Sequence, residues 1–106
     1  MTVGQLAEKL QGRLLGGSSA DAKVSGGYAG DFLSHCMVRV KEGGAWFTVM
    51  NNVNVAAVAS LCGAACVVLC EGTLPDDALK SKSESAGICL IVTPLPVFEA
   101  CVASGL

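Results

Sequence analysis

The chain has 106 residues and a formal net charge of -2, and 52% of its residues are hydrophobic while only 15% are charged. This length predicts one domain, residues 1–106, with a single core that buries roughly two-thirds of the unfolded surface. So low a charged fraction is unusual for a small soluble monomer, and we expect a second chain to cover part of the surface. The few Lys and Arg residues are scattered, which argues against a nucleic-acid-binding protein.

The apolar segments and the N-terminus bear on the compartment. The first residues lack the basic and long apolar regions of a signal peptide, which favours a cytoplasmic protein. No charged residue occurs between Glu42 and Glu71. Glycines and asparagines interrupt this stretch, however, and leave it short of the ~20 apolar residues of a membrane span. We therefore expect no membrane segment and interpret the stretch as the buried strand and helix of an α/β core.

Six cysteines lie at positions 36, 62, 66, 70, 89 and 101, four of them within apolar runs. In a reducing compartment we expect free buried thiols rather than a disulfide framework. Cys62, Cys66 and Cys70 are evenly spaced, but they run across a helix end and a strand, and no flexible loop lets them converge on a metal or an iron–sulfur cluster. We expect no metal or other cofactor. Because Cys66 and Cys70 share one strand face, a local thiol pair stays open.

The N-terminal part of the chain predicts a short helix and a short strand. Thr2 and Gln5 have the spacing of a capping box, and an apolar stripe follows them. Gly12 is expected to end this helix. Residues 13–15 predict a strand, which a turn of glycines and serines over residues 16–19 closes.

Residues 23–31 predict a second, glycine-rich strand that leads into a helix. Asp31 is expected to cap that helix. One side of the helix is expected to face the core through Phe32, Leu33, Cys36, Met37 and Val40.

The centre of the chain predicts two consecutive βαβ units. Strand, helix, strand, helix and strand are expected over residues 45–50, 52–62, 66–70, 75–86 and 88–92. The three strands are nearly pure apolar runs, as in parallel strands covered by helices on both faces. We expect an α/β fold with a small, mostly parallel sheet of about five strands, helices on both faces and right-handed crossovers.

The predicted helix over residues 52–62 has no charged side chain and is apolar nearly all the way round. Such a helix must be buried on every face. One face can pack on the sheet, and the other is the leading candidate for a homodimer interface; the alternative is that the N-terminal helix covers it. The helix over residues 75–86 carries Asp76 and Asp77 in its first turn and ends at Gly87, as solvated helices do. The last helix is expected to begin with Pro96 and to face inward through Val97, Phe98, Cys101 and Val102.

Ligands of open parallel sheets bind beyond the carboxyl ends of the strands. Three asparagines lie there, where a helix N-terminus offers backbone N–H groups to a phosphate or carboxylate; the alternative is that they are cap and turn residues. An acid follows the next strand, and a glycine pair upstream lets a ligand approach the backbone closely. The candidate ligand-binding residues are Gly26, Gly27, Asn51, Asn52, Asn54 and Glu71.

Catalytic groups are poorly represented. His35 is the only histidine, and the neighbours beside it in a helix do not face it, so we expect a surface or cap role. The sequence contains no phosphate-binding loop, no nucleophile elbow and no cysteine–histidine pair in a catalytic arrangement. We therefore expect a protein that is not an enzyme.

Three segments carry a longer pattern. Residues 24–34 read VSGGYAGDFLS, residues 46–48 read WFT, and residues 54–60 read NVAAVAS. They resemble stand-alone members of the DRTGG-domain family, a small α/β module similar to the N-terminal domain of HPr kinase/phosphorylase, and the resemblance covers nearly the whole chain. The residues that name the family are mostly absent, because Asn52-Val53 and Cys70-Glu71-Gly72 stand near their places.

The resemblance implies an accessory or regulatory module. Modules of this kind are fused to phosphotransacetylases or CBS-containing pyrophosphatases, or stand alone near redox or hydrogenase genes. We expect a non-enzymatic, homodimeric regulatory or ligand-binding module that senses a nucleotide or another small anion. The alternative is a protein-interaction subunit that docks on a kinase or a redox/hydrogenase-type enzyme and binds no small molecule.

Overall fold

The computed structural model describes residues 1–17 and 20–106, so the turn predicted over residues 16–19 lies partly outside the described residues. Strands and helices alternate along most of the chain. Their order is α1 (Val3–Lys9), β1 (Arg13–Gly16), β2 (Gly26–Ala29), α2 (Leu33–Arg39), β3 (Gly44–Thr48), α3 (Asn54–Cys62), β4 (Cys66–Leu69), α4 (Asp77–Ala86), β5 (Cys89–Val92) and α5 (Val97–Ser104).

The strands form one five-stranded sheet in the order β1-β5-β4-β3-β2. Strands β2 to β5 are parallel neighbours. Strand β1 is antiparallel to β5 and pairs Arg13 with Val92. The predicted α/β class and the mostly parallel sheet are confirmed, and the central strands begin and end within two residues of their predicted limits.

Two apolar layers cover the sheet, one on each face. Alternate residues of a strand point to opposite faces. Phe47 accordingly packs with α1 and α5, and its neighbour Trp46 packs with α2, α3 and α4. Every residue of β3, β4 and β5 is buried. This two-sided burial explains why these strands are continuous apolar runs.

The N-cap of α1 and both caps of α4 form as the sequence predicts. The Thr2 hydroxyl accepts a hydrogen bond from the Gln5 backbone N–H at 3.2 Å, and Thr2 N–H donates to Gln5 Oε1 at 2.9 Å. Helix α4 begins after Asp76, whose carboxylate accepts from Leu79 N–H at 2.8 Å. It ends at Gly87, where a φ of 71° places the backbone in the left-handed region that glycine adopts without steric cost.

The predicted inward sides of α2 and α5 are wrong at four positions. Phe32 and Met37 in the α2 region are exposed, and so are Phe98 and Val102 on α5. The buried residues of α5 include the small Ala100, and a small contact side brings a helix close to the sheet while its large side chains stay outside. The sequence of α5 is apolar on more than one side, so its pattern does not distinguish the side that faces the sheet from the side that faces outward.

Helix α3 lies between α2 and α4 on one face of the sheet. Helix α1 lies on the opposite face, so the alternative interpretation, in which the N-terminal helix covers α3, is wrong. The flanking helices cover α3 only in part, and Leu61 and Ala57 stay exposed. Among the helices of the described residues, none has the length and apolar character that crossing a membrane requires.

Candidate functional site

The three asparagines lie beyond the carboxyl end of β3, as predicted, and the side chains of Asn51 and Asn52 each make one hydrogen bond within the protein. Asn51 Nδ2 donates to the Leu74 carbonyl at 3.0 Å, and Asn52 Oδ1 accepts from Asn54 N–H at 3.0 Å. The next N–H of α3, at Val55, has no acceptor within the helix and donates to the Asn52 carbonyl at 3.0 Å. The start of α3 therefore satisfies its own donors, which supports the cap-and-turn interpretation over an open phosphate site.

Glu71 lies beyond the carboxyl end of β4, also as predicted, and it fastens two loops together. Its backbone N–H donates to the Leu95 carbonyl at 2.9 Å. Its carboxylate Oε2 accepts from the Val97 N–H at 3.4 Å, at the first residue of α5. A negative charge is favourable at a helix N-terminus. The acid thus has a structural partner, and its φ of 62° is in the left-handed region.

The glycine pair lies at the other end of the sheet. Gly26 pairs with Gly44 and Gly27 pairs with Ala45, at the start of β3. Asn51 follows the end of the same strand, at Thr48. The four intervening steps of an extended strand measure roughly 13 Å. The structure therefore brings the asparagines and Glu71 to one edge and does not bring Gly26 and Gly27 to them.

Asp31 has a role that the sequence did not predict. Helix α2 has Phe32 at its N-cap and no side-chain cap, so the predicted cap by Asp31 is wrong. Asp31 Oδ1 instead accepts from Thr48 Oγ1 at 2.7 Å and from Val49 N–H at 3.0 Å. The reason is that β2 and β3 are parallel neighbours, so Asp31, two residues beyond the end of β2, lies beside the end of β3.

A cleft lies beyond the carboxyl ends of β4 and β5, where parallel sheets bind ligands. Its volume is about 270 Å³, and its lining is Gln11, Gly12, Arg13, Gly72, Leu74, Val92, Thr93 and Pro94. A neighbouring cleft of about 230 Å³ shares two of these residues, and its lining is Arg13, Leu15, Leu74, Pro75, Asp77 and Lys80. We call the two together the Arg13 cleft. The sequence could not reveal it, because Arg13 reaches this edge only through the antiparallel pairing of β1 with β5.

An apolar groove lies between α2 and α3. Its volume is about 250 Å³, and its lining is Leu33, Met37, Asn54, Ala57, Val58 and Leu61. We call these six residues the α2–α3 surface. None of the six carries a charge. The uncharged helix of the sequence thus contributes one wall of an open groove, and α2 contributes the other.

The thiols are mostly buried in the core. Cys66, at the start of β4, and Cys70, directly after its end, pack in the same core layer on one face of the sheet, and burial raises the pKa of each thiol to about 12. No disulfide joins cysteines within the described chain. In the same residues, no three His, Cys, Asp or Glu side chains are grouped so as to hold a metal ion. His35 is exposed, and its ring centroid lies 4.9 Å from that of Phe32.

The chain matches no protein-family model and no curated protein. The resemblance to the DRTGG-domain family therefore stays a prediction from the three sequence segments.

Proposed function

We propose that this chain is a non-enzymatic regulatory module of the DRTGG type that works as a homodimer through the α2–α3 surface. The observation that carries the proposal is the exposure of this uncharged surface: Leu61 is 69% exposed and Met37 is 48% exposed. Open apolar patches on soluble proteins mark interaction sites when they are contiguous. The resemblance of the sequence to the DRTGG-domain family supports the proposed role as a regulatory module.

Lack of charge favours a second copy of the same chain as the occupant. In a two-fold dimer the same patch faces itself, so a charge near the axis would meet a like charge. Helix α3 has no charged residue along its whole length, and none of the residues that line the groove is charged. Two copies of this surface can therefore face each other without bringing like charges together, whereas two copies of a surface with charge of one sign near the axis cannot.

Two further parts of the function concern the ligand and the compartment. We propose that the module senses a nucleotide or another small anion at the carboxyl edge of the sheet. A reducing cytoplasm is the compartment that suits six cysteines without a disulfide among them.

A matched pair of substitutions tests the interface. Leu61→Glu places a charge in the α2–α3 surface, and Val102→Glu places the same charge on α5, where the side chain is similarly exposed at 65%. Since two Leu61 side chains lose their burial, we expect Leu61→Glu to weaken the dimer by about 3 kcal/mol or more, which is at least about 100-fold in Kd. Val102→Glu is expected to leave the dimer intact. The masses are read by size-exclusion chromatography with light scattering.

Three results of this experiment would count against the interface. A monomeric wild-type protein removes the homodimer, and a dimeric Leu61→Glu variant moves the interface away from α3. A monomeric Val102→Glu variant beside a dimeric Leu61→Glu variant places the interface on α5. Circular dichroism of both variants verifies that each remains folded.

One observation favours the second function, docking on a kinase or a redox/hydrogenase-type enzyme. A dimer through the α2–α3 surface leaves a second set of apolar side chains exposed, on the opposite face of the sheet. Phe98 is 76% exposed, and Val102 and Leu106, four and eight residues further along the chain, are exposed as well. Docking through α5 predicts that such an enzyme co-purifies with wild-type protein and with Leu61→Glu, and that Phe98→Glu loses it. Loss with Leu61→Glu alone would contradict this assignment.

A further inference from the structure

We propose that the Arg13 cleft binds an organic anion, with Arg13 and Lys80 holding a phosphate or carboxylate head and Leu74 contacting the apolar part of the ligand. This inference rests on the sensing part of the proposed function and names its site and ligand class. It does not depend on the dimer. It also moves the site away from the asparagines, because the backbone N–H groups at the start of α3, where they lie, already have acceptors in the protein.

The charges in the cleft favour an anion. Arg13 and Lys80 line it together with one acid, Asp77, so the local balance is positive in a chain whose net charge is -2. The Arg guanidinium presents a planar fork of N–H donors that matches the two oxygens of a carboxylate or phosphate. Lys80 adds a mobile point charge on the adjacent helix.

The backbone around the cleft is unusual. Among the described residues other than glycine, positive φ angles occur at Gln11, with 55°, and at Glu71, with 62°. Gln11 lines the cleft, and Glu71 immediately precedes Gly72, which also lines it. Left-handed backbone at residues other than glycine is uncommon and clusters at ligand sites. At Gly72 no atom beyond its chain neighbours lies within 4 Å of the place a Cβ would occupy, so a ligand can approach its Cα, while its N–H donates to the Thr93 carbonyl at 3.0 Å.

Apolar groups form the remaining walls. Leu74 is exposed and contributes to both parts of the cleft, and Val92 and Pro94 line the first part. Pro75 continues this wall toward Lys80. Small-molecule sites combine mostly apolar walls with a few placed polar groups. An anionic head with an apolar or aromatic body fits this arrangement better than a bare inorganic ion.

NMR titration of the ¹⁵N-labelled protein with phenyl phosphate tests the site. Inorganic phosphate is the comparison probe, because it has the phosphate head without the apolar part. We expect phenyl phosphate to shift the amide signals of Gly12, Gly72 and Thr93, and to bind at least about tenfold more tightly than inorganic phosphate. Arg13→Gln and Lys80→Gln should each weaken phenyl phosphate binding about tenfold, equivalent to about 1.4 kcal/mol.

Lys82→Gln is the matched control, because Lys82 is exposed on the same helix and does not line the cleft. It removes the same charge and should leave the affinity unchanged. Equal weakening by Lys80→Gln and Lys82→Gln would reduce the effect to net charge and overturn the site, as would no shift at the three amides at millimolar probe. If Arg13→Gln fails to fold, the lysine pair decides. Dimerisation is read by mass, so failure of the dimer and failure of this site are separate results.

Discussion

Asp31 joins two neighbouring strands at the edge of the sheet where the candidate site lies. Its carboxylate accepts hydrogen bonds from the buried Thr48 hydroxyl and from Val49 N–H. The Trp46 indole N–H donates to the adjacent Gly30 carbonyl at 2.9 Å. These contacts hold the loop that leaves β2 against the end of β3, so one exposed acid helps to order a part of the candidate ligand-binding edge.

We expect Asp31→Ala to destabilise the protein by about 1–3 kcal/mol, because the Thr48 hydroxyl and the Val49 N–H both lose their acceptor. Urea unfolding followed by circular dichroism measures the change. Asp21→Ala, which removes an exposed acid elsewhere, should stay within about 0.5 kcal/mol of wild type. Equal losses in the two variants would show that charge, and not the hydrogen bonds of Asp31, is responsible.

The buried thiols of the core provide a second test at single residues, this time of their burial. Burial raises the pKa of Cys66 and of Cys70 to about 12, so the thiolate, which is the form that reacts, is scarce at pH 8. We expect iodoacetamide to alkylate the half-buried Cys62 before Cys66 and Cys70 in folded protein. Peptide mass mapping over time reads the order. Equally fast alkylation of Cys66 would contradict the burial, and in urea the three rates should converge.

Helix α4 forms one wall of the Arg13 cleft, and its N-terminus depends on a side-chain cap. Asp76 Oδ1 accepts from Leu79 N–H at 2.8 Å, and Asp76 N–H donates to the Asn51 carbonyl at 3.0 Å. Leu79 is fully buried. The cap therefore ties the start of α4 both to the core and to the loop after β3.

Replacement of the cap separates hydrogen bonding from charge. Asp76→Ala should lose about 1 kcal/mol of stability, because a helix N–H loses its acceptor, whereas Asp76→Asn keeps an acceptor and should lose much less. Thermal and urea unfolding give the two values. If the Asn variant lost as much as the Ala variant, attraction between the carboxylate and the helix dipole would be the main contribution.

Elements were more predictable from this sequence than their outer surfaces. The apolar runs 66–70 and 88–92 predicted β4 and β5 because strands buried on both faces have no polar positions. Phe98 could not be placed, because α5 is apolar on both its inner and outer sides. Asp31 and Arg13 could not be placed either, since their partners come from strand neighbours that are distant in sequence. The candidate asparagines were located correctly at the carboxyl edge, but only the hydrogen bonds reveal that the N–H groups at the start of α3 already have acceptors.

At the scale of the molecule, the two helical layers differ in what they leave open. The layer of α2, α3 and α4 presents the uncharged α2–α3 surface, and the layer of α1 and α5 presents Phe98. The Arg13 cleft opens at the edge of the sheet between these layers. No described residue lines both the α2–α3 surface and the Arg13 cleft, so the proposed dimer and the proposed ligand use different residues.

Sedimentation velocity of the wild-type protein over a range of concentrations tests the homodimer most directly. The chain mass is 10.7 kDa, and we expect a single species of twice that mass at micromolar concentration, shifting toward the chain mass in Leu61→Glu. A wild-type species that keeps the chain mass at every concentration would contradict the homodimer and leave the apolar groove to a different partner.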